Sequence, residues 1–231
     1  MMSENLETKF QPLYRVARVL ALVMLVIIPL QVVIYVISPP PGTVEGYYAL
    51  YHHSPFLGLL SLDFLYLFSN MIVIIIYLAL FTLLYEERPV TVLLALVLGL
   101  IGIACYYPSN PCFEMWTLSK EYFQALPENQ SLYLAAGEML LSGYSGTTFN
   151  VYYVLSTICL LLFADTLIKS PRFKKSVGLW GLISGFFMII PSSAGTIGMI
   201  FSLLSLIPWI VFVALLSTYF RRFSQETSRV G

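Results

Sequence analysis

The sequence predicts an all-α membrane protein: six transmembrane helices forming a single domain over residues 1–231, with short interfacial helices on the outer face. Three observations carry that prediction. The 231 residues are 58% hydrophobic and only 10% charged, whereas soluble domains carry about 25% charged residues. Six apolar runs approach the ~20 residues that a helix needs to cross a bilayer. The basic residues also fall almost entirely on one side of the topology those runs define. Lysine plus arginine and aspartate plus glutamate number 12 each, for a net charge of zero. No basic surface therefore points to nucleic acid.

The first run is Val16–Ile37. It is longer than the ~7–15 residues of a signal-peptide core, and "SPPPG" follows it instead of a small-residue cleavage site. It reads as a retained span. The second lies within Phe56–Tyr85, the third is Val90–Tyr107 and the fourth Phe149–Ile168. The fifth, Val177–Ile190, is short, and the sixth is Ile197–Phe220. In hydrocarbon every backbone amide and carbonyl needs a partner within its own segment or in buried protein, so such runs are helices.

Six spans place both termini on one side. Lys9, Arg15, Arg18, Arg88, Lys169, Arg172, Lys174, Lys175, Arg221, Arg222 and Arg229 share that side, and only Lys120 opposes them. Basic residues favour the cytoplasmic face, so both termini are expected there. Of the connections, "EERP" and "KSPRFKKS" are short. Those of the opposite face are longer, and "FEMWTLSKEYFQAL" and "SLYLAAGEMLLSGYSG" fit short amphipathic helices, the second capped by Ser131. "NQS" at Asn129–Ser131 matches a glycosylation acceptor on that face.

Cysteines Cys105 and Cys112 flank "YYPSNP" at the outer end of the third span. Pro108 and Pro111 there are expected to bend the chain back, and the outer compartment is oxidising. A Cys105–Cys112 disulfide is one reading and a pair of free thiols the other. No partner pair supplies the four ligands of a zinc site, so no metal is expected. Cys159, inside the fourth run, reads as a small buried hydrophobe. Gly181 and Gly185, with Gly178 nearby, allow close helix approach, either inside the bundle or at a homo-oligomer seam.

Ionisable groups at membrane depth are costly and mark function by default. Asp165 is followed four residues later by Lys169, which reads as an ion pair on one helix face. Asp63 has a different setting. In "SLDFLYLFSNMIVIIIY" it shares a helix face with Tyr66, Asn70 and Tyr77, at spacings of three, four and seven. Such a stripe is expected to point into the bundle and form a pocket; the other reading makes Asp63 interfacial and Asn70 a packing contact. Asn150, Glu138, His52 and His53 are further pocket candidates, as are Gln31, Ser192, Ser193 and Thr196. None of the common hydrolase, metalloprotease, phosphate-loop or dinucleotide motifs occurs, and no lysine lies within a span to hold a Schiff-base cofactor. No cofactor is expected.

The stretch from "GYSGTTFNVYYVLS" through "PSSAGTIG" and "SLLSLIPWI" to the final "RR" resembles a family of prokaryotic six-helix membrane proteins known only as a domain of unknown function. The resemblance is clearest over residues 131–222. It implies topology and a prokaryotic plasma membrane, and it brings no catalytic residue. Three functions stay open on the sequence: binding of a lipid or small apolar ligand in an outward-opening cavity for transport or sensing, an accessory subunit acting through helix contacts, and an intramembrane enzyme acting on lipid head groups.

Overall fold

The computed structural model describes residues 2–225, with side chains from residue 8 onward. Arg229, counted above among the basic residues, lies outside the described residues. The described chain has no strand. Its helices are α1 (Met2–Ile37), α2 (Val44–His53), α3 (Pro55–Ser61), α4 (Phe64–Leu84), α5 (Pro89–Ser109), α6 (Cys112–Gln124), α7 (Gln130–Tyr144), α8 (Thr147–Lys169), α9 (Lys175–Phe187) and α10 (Gly195–Phe223), with a 3₁₀ turn at Pro127–Asn129.

Five helices are long and apolar enough to cross a membrane, namely α1, α4, α5, α8 and α10, and the chain is a membrane protein. The fifth predicted run differs. It forms α9, which has 13 residues and spans about 20 Å at 1.5 Å per residue. The chain leaves the helix at Met188, before Pro191. The second run also differs, because it breaks at Leu62–Asp63 into α3 and α4.

Six helices close a ring. In order around it, α4 packs on α5, α5 on α8, α8 on α9, α9 on α10, α10 on α1 and α1 back on α4. Side chains from all six fill the core, including Tyr14, Met24, Ile76, Leu80, Phe163, Phe212 and Phe220. The ring of Tyr14 packs 6.3 Å from that of Phe223, so α1 begins where α10 ends. At this terminal end two turns are tied together. Arg88 and Lys169 each lie 2.7 Å from the Asp165 carboxylate, Ser170 donates to Glu87 at 2.8 Å, and Arg172 donates to the Leu83 carbonyl at 2.7 Å. The Asp165–Lys169 pair is as expected from its spacing; Arg88 joins it from 77 residues away.

The glycines of α9 are used inside the ring. A Cβ at Gly181 would meet Ala164 Cβ at 3.0 Å and the Phe212 ring at 3.1 Å, and one at Gly185 would meet Leu161 at 2.7 Å. Gly178, Gly181 and Gly185 therefore bring α9 onto α8 and α10.

At the opposite end α2, α3, α6 and α7 pack on one another around a second apolar core of Val44, Tyr48, Tyr51, Leu59, Leu62, Cys112 and Met115. Tyr48 donates to the Tyr133 carbonyl and Tyr51 to the Cys112 carbonyl, both at 2.7 Å. These helices make a cap joined to the ring through Asn110, which donates to the Leu62 carbonyl at 2.7 Å and accepts from the Cys112 amide at 3.1 Å. Ser131 is not the cap of α7, whose first residue is Gln130.

Cys105 and Cys112 are both free thiols in the structure. The expected fold-back does not occur. Pro108 sits in the last turn of α5, which continues to Ser109, and Cys112 is the first residue of α6. Cys105 packs against the ring core and Cys112 in the cap core.

Candidate functional site

Asp63 sits between α3 and α4 with φ 58° and ψ 31°. It is the one non-glycine residue with positive φ among those described. Left-handed backbone is costly for most side chains but comparatively accessible to Asp and Asn, so the residue type suits the break. The break re-aims the chain from the cap into the ring and leaves the carboxylate at their junction.

Two phenols hold that carboxylate. Tyr35, near the end of α1, donates to Oδ1, and Tyr144, the last residue of α7, donates to Oδ2. Gln31, one turn before Tyr35, donates to the Leu60 carbonyl at 3.2 Å. Asp63 is half-buried, and desolvation pushes its pKa above the ordinary carboxylate value, opposed by the hydrogen bonds from Tyr144 and Tyr35.

Behind Asp63 lies a cavity of about 630 Å³, enclosed by the α1, α4, α5, α8, α9 and α10 side chains. Its walls are mostly apolar. They run from Tyr35 and Asp63 at the cap end, past Tyr66, Asn70, Tyr106, Phe149 and Tyr152, to Met24 and Trp209 in the middle of the ring. Asp63 is the single carboxylate in the lining, which holds no Lys, Arg or His.

The tyrosines near Asp63 touch one another. Tyr66 lies 5.3 Å from Tyr106 and 6.4 Å from Tyr152 between ring centroids, and Tyr106 lies 5.0 Å from Tyr152. The Tyr152 hydroxyl is 3.1 Å from that of Tyr66 and 3.3 Å from Asn70 Oδ1. Asn70 Nδ2 and Ser156 Oγ have no protein partner, although both residues are buried. A polar atom in that state favours an occupant able to hydrogen-bond with it.

Between α1 and α10 the cavity reaches the flank of the ring. Val36 is 78% exposed, and Met199 and Leu203 are 53% and 55% exposed, yet all three also line the cavity. Their apolar surfaces make this a sideways, apolar opening.

The structure brings together part of the predicted set. Asp63, Tyr66, Asn70 and Tyr77 share the cavity, with Gln31 and Ser192; Tyr66, Asn70 and Tyr77 do so from α4, whereas Asp63 stands at the break before that helix and not on its face. The remaining candidates lie elsewhere. Asn150 does not line the cavity; it donates to the Gly146 carbonyl at 2.8 Å and accepts from Ser193 at 2.6 Å, pinning the α9–α10 turn to the start of α8. Glu138 is exposed on α7. His52 and His53 are exposed at the end of α2, where His52 packs 4.2 Å from the Phe123 ring. No group of three metal-ligating side chains occurs among the described residues.

Sequence reasoning missed Tyr35, Tyr144 and Tyr152. A signal existed for two of them. Gln31 and Tyr35 are four apart in an apolar helix, as are Tyr152 and Ser156, and each pair marks a polar face. Tyr144 had no such signal, since its role depends on how α7 docks. No protein-family model, curated protein or solved structure matches the chain.

Proposed function

We propose that the chain is a six-span protein of a prokaryotic plasma membrane, with both termini cytoplasmic, that binds a lipid or small apolar ligand in the cavity behind Asp63 for transport or sensing. α9 is the sixth span, and α2, α3, α6 and α7 form the outer cap. Supporting this topology are the basic-residue asymmetry, the closed ring of six helices and the resemblance of residues 131–222 to a prokaryotic six-helix family. Reporter fusions after Glu87 and after Lys120 test it: the first should report the inside and the second the outside. The same side for both refutes it.

One observation carries the ligand reading. A cavity of about 630 Å³ is in the size range of small-molecule sites, and those sites combine apolar walls with few, well-placed polar groups. Here the walls are apolar, the polar groups are concentrated toward one end, and the mouth faces the membrane side of the ring. A single carboxylate without a second acid or base in the lining favours binding over catalysis. Native mass spectrometry of protein purified in mild detergent tests the reading. A lipid-sized adduct should accompany the wild type and be lost on Ser202→Phe, which places an aromatic ring in the cavity wall. No adduct in the wild type, together with no stabilisation by a total lipid extract, refutes it.

A further inference from the structure

We propose that the ligand is a cationic amphiphile, whose amine or quaternary-ammonium head sits against Asp63 among the surrounding tyrosines while its apolar chain runs toward Trp209. The inference rests on the ligand reading above and adds the charge of the head.

The argument begins from charge. Asp63 is the single ionisable group of either sign, other than phenols, in the cavity lining. Nothing cationic in the lining balances it. Its two hydrogen-bonding partners, Tyr35 and Tyr144, are neutral donors that orient the carboxylate without neutralising it. A buried anion without a counter-charge is unstable and takes up a proton or a cation. Burial disfavours the charged carboxylate and raises the Asp63 pKa. A cationic head supplies the missing counter-charge, and any proton held by the carboxyl leaves to solvent as the head binds.

The second argument is the aromatic surround. Tyr66, Tyr106 and Tyr152 are mutually packed beside Asp63, with ring centroids 5.0 to 6.4 Å apart. Aromatic faces attract cations, and most strongly where water is excluded. A phosphate, sulfate or carboxylate head finds no Lys, Arg or His in the lining to balance its charge. Farther along the wall, Asn70 Nδ2 is a buried donor without a protein partner. It lies on α4, seven residues beyond Asp63 in the chain and farther from the cap. A head at Asp63 thus leaves the upper chain of the ligand, where an acceptor such as a hydroxyl or ester oxygen would stand, opposite Asn70. The chain below it meets Met24 and Trp209.

The test uses the full chain in nanodiscs of zwitterionic lipid. The protein has three tryptophans; Trp116→Phe and Trp180→Phe leave Trp209 as the reporter in the cavity wall. Its emission is titrated with decyltrimethylammonium, decanol and decyl sulfate, in protein with Asp63 and in protein carrying Asp63→Asn. Asparagine suits the left-handed backbone at this position, so the substituted chain keeps the break. The expected result is that the ammonium binds at least tenfold more tightly than decanol, that decyl sulfate binds most weakly, and that Asp63→Asn abolishes the tenfold preference. Equal binding of ammonium and decanol overturns the cationic head and leaves the ligand cavity standing, as does tightest binding of decyl sulfate. No response of Trp209 to any of the three overturns both readings. The head-group ranking with Asp63 in place decides the matter even where the substituted protein fails to fold.

Discussion

Replacing Gly178 by alanine tests how tightly the ring is built. Gly178 lies on α9, and a Cβ there would stand 2.6 Å from Ile168 Cγ1, 2.8 Å from the Ile168 amide nitrogen, and in still closer contact with the Ala164 carbonyl oxygen. Two of those three atoms are backbone of α8 and cannot rotate away, so α9 must move off α8. Alanine itself favours the helix by about 1 kcal/mol relative to glycine. Overpacking costs about 1–3 kcal/mol, and a clash with a neighbouring helix's backbone belongs at the upper end of that range. The net expectation is destabilisation of about 1–2 kcal/mol. Gly143→Ala is the control. A Cβ there meets nothing within 4 Å, so it should be neutral or gain a few tenths up to ~1 kcal/mol. Gly185→Ala should fall between, because the atoms it meets are the end of the Leu161 side chain. The assay is thermal unfolding of the three variants in one detergent, followed by near-ultraviolet circular dichroism. A Gly178→Ala protein as stable as Gly143→Ala would refute the close α8–α9 contact.

Other predictions concern the cap and the site. Asn110→Ala removes a buried side chain that bridges the end of α5, α3 and α6, and should cost about 2–3 kcal/mol through the unmet Leu62 carbonyl and Cys112 amide; protease sensitivity confined to α2, α3, α6 and α7 would report it, and an unchanged digestion pattern would count against the cap. Asp63 has a raised pKa in the folded chain, so above its ordinary value of 3.8 the folded state holds more proton than the unfolded one. Its contribution to stability is complete below that value and is lost as pH rises toward the folded pKa. Ligand-free wild type should therefore lose thermal stability relative to Asp63→Asn as pH is raised from about 4; the opposite trend would refute the burial of the carboxyl. Arg88→Ala removes one of the two cations on Asp165, which is 41% exposed, and should cost less than about 1 kcal/mol, as thermal unfolding would show.

Helices were legible in the sequence wherever a long apolar run met a clear boundary. Pro89 opens α5 and Lys169 ends α8, both within two residues of the boundaries read from the runs. The Tyr66–Asn70–Tyr77 part of the stripe was legible for the same reason, since helical periodicity aligns it, whereas Asp63 reaches the cavity from the break before α4. Breaks inside apolar runs were not. Nothing in "LLSLDFLY" marks a left-handed residue, because aspartate occurs in helices as well as at breaks. Residues in connections were least legible. Glu138 and the histidines were candidates by residue type alone, and the docking of α2 and α7 turns them outward. Tyr144 reaches Asp63 through the same docking, which depends on contacts distant in sequence.

The shortness of α9 has a consequence for the surrounding bilayer. A hydrocarbon layer about 30 Å thick exceeds the ~20 Å that 13 helical residues cover. The turn after α9 is built for an unusual depth: Thr157 donates to the Met188 carbonyl at 3.0 Å and Ser193 to Asn150 at 2.6 Å, giving polar groups of the turn partners within the protein. On the proposed six-span topology, lipid next to α9 would relieve the mismatch by thinning. Head groups there would descend toward the level of the cavity, which Met188 and Ser192 help to line. Membrane thickness would then become a variable of this protein, and longer acyl chains in the surrounding leaflet would raise the cost of exposing that flank.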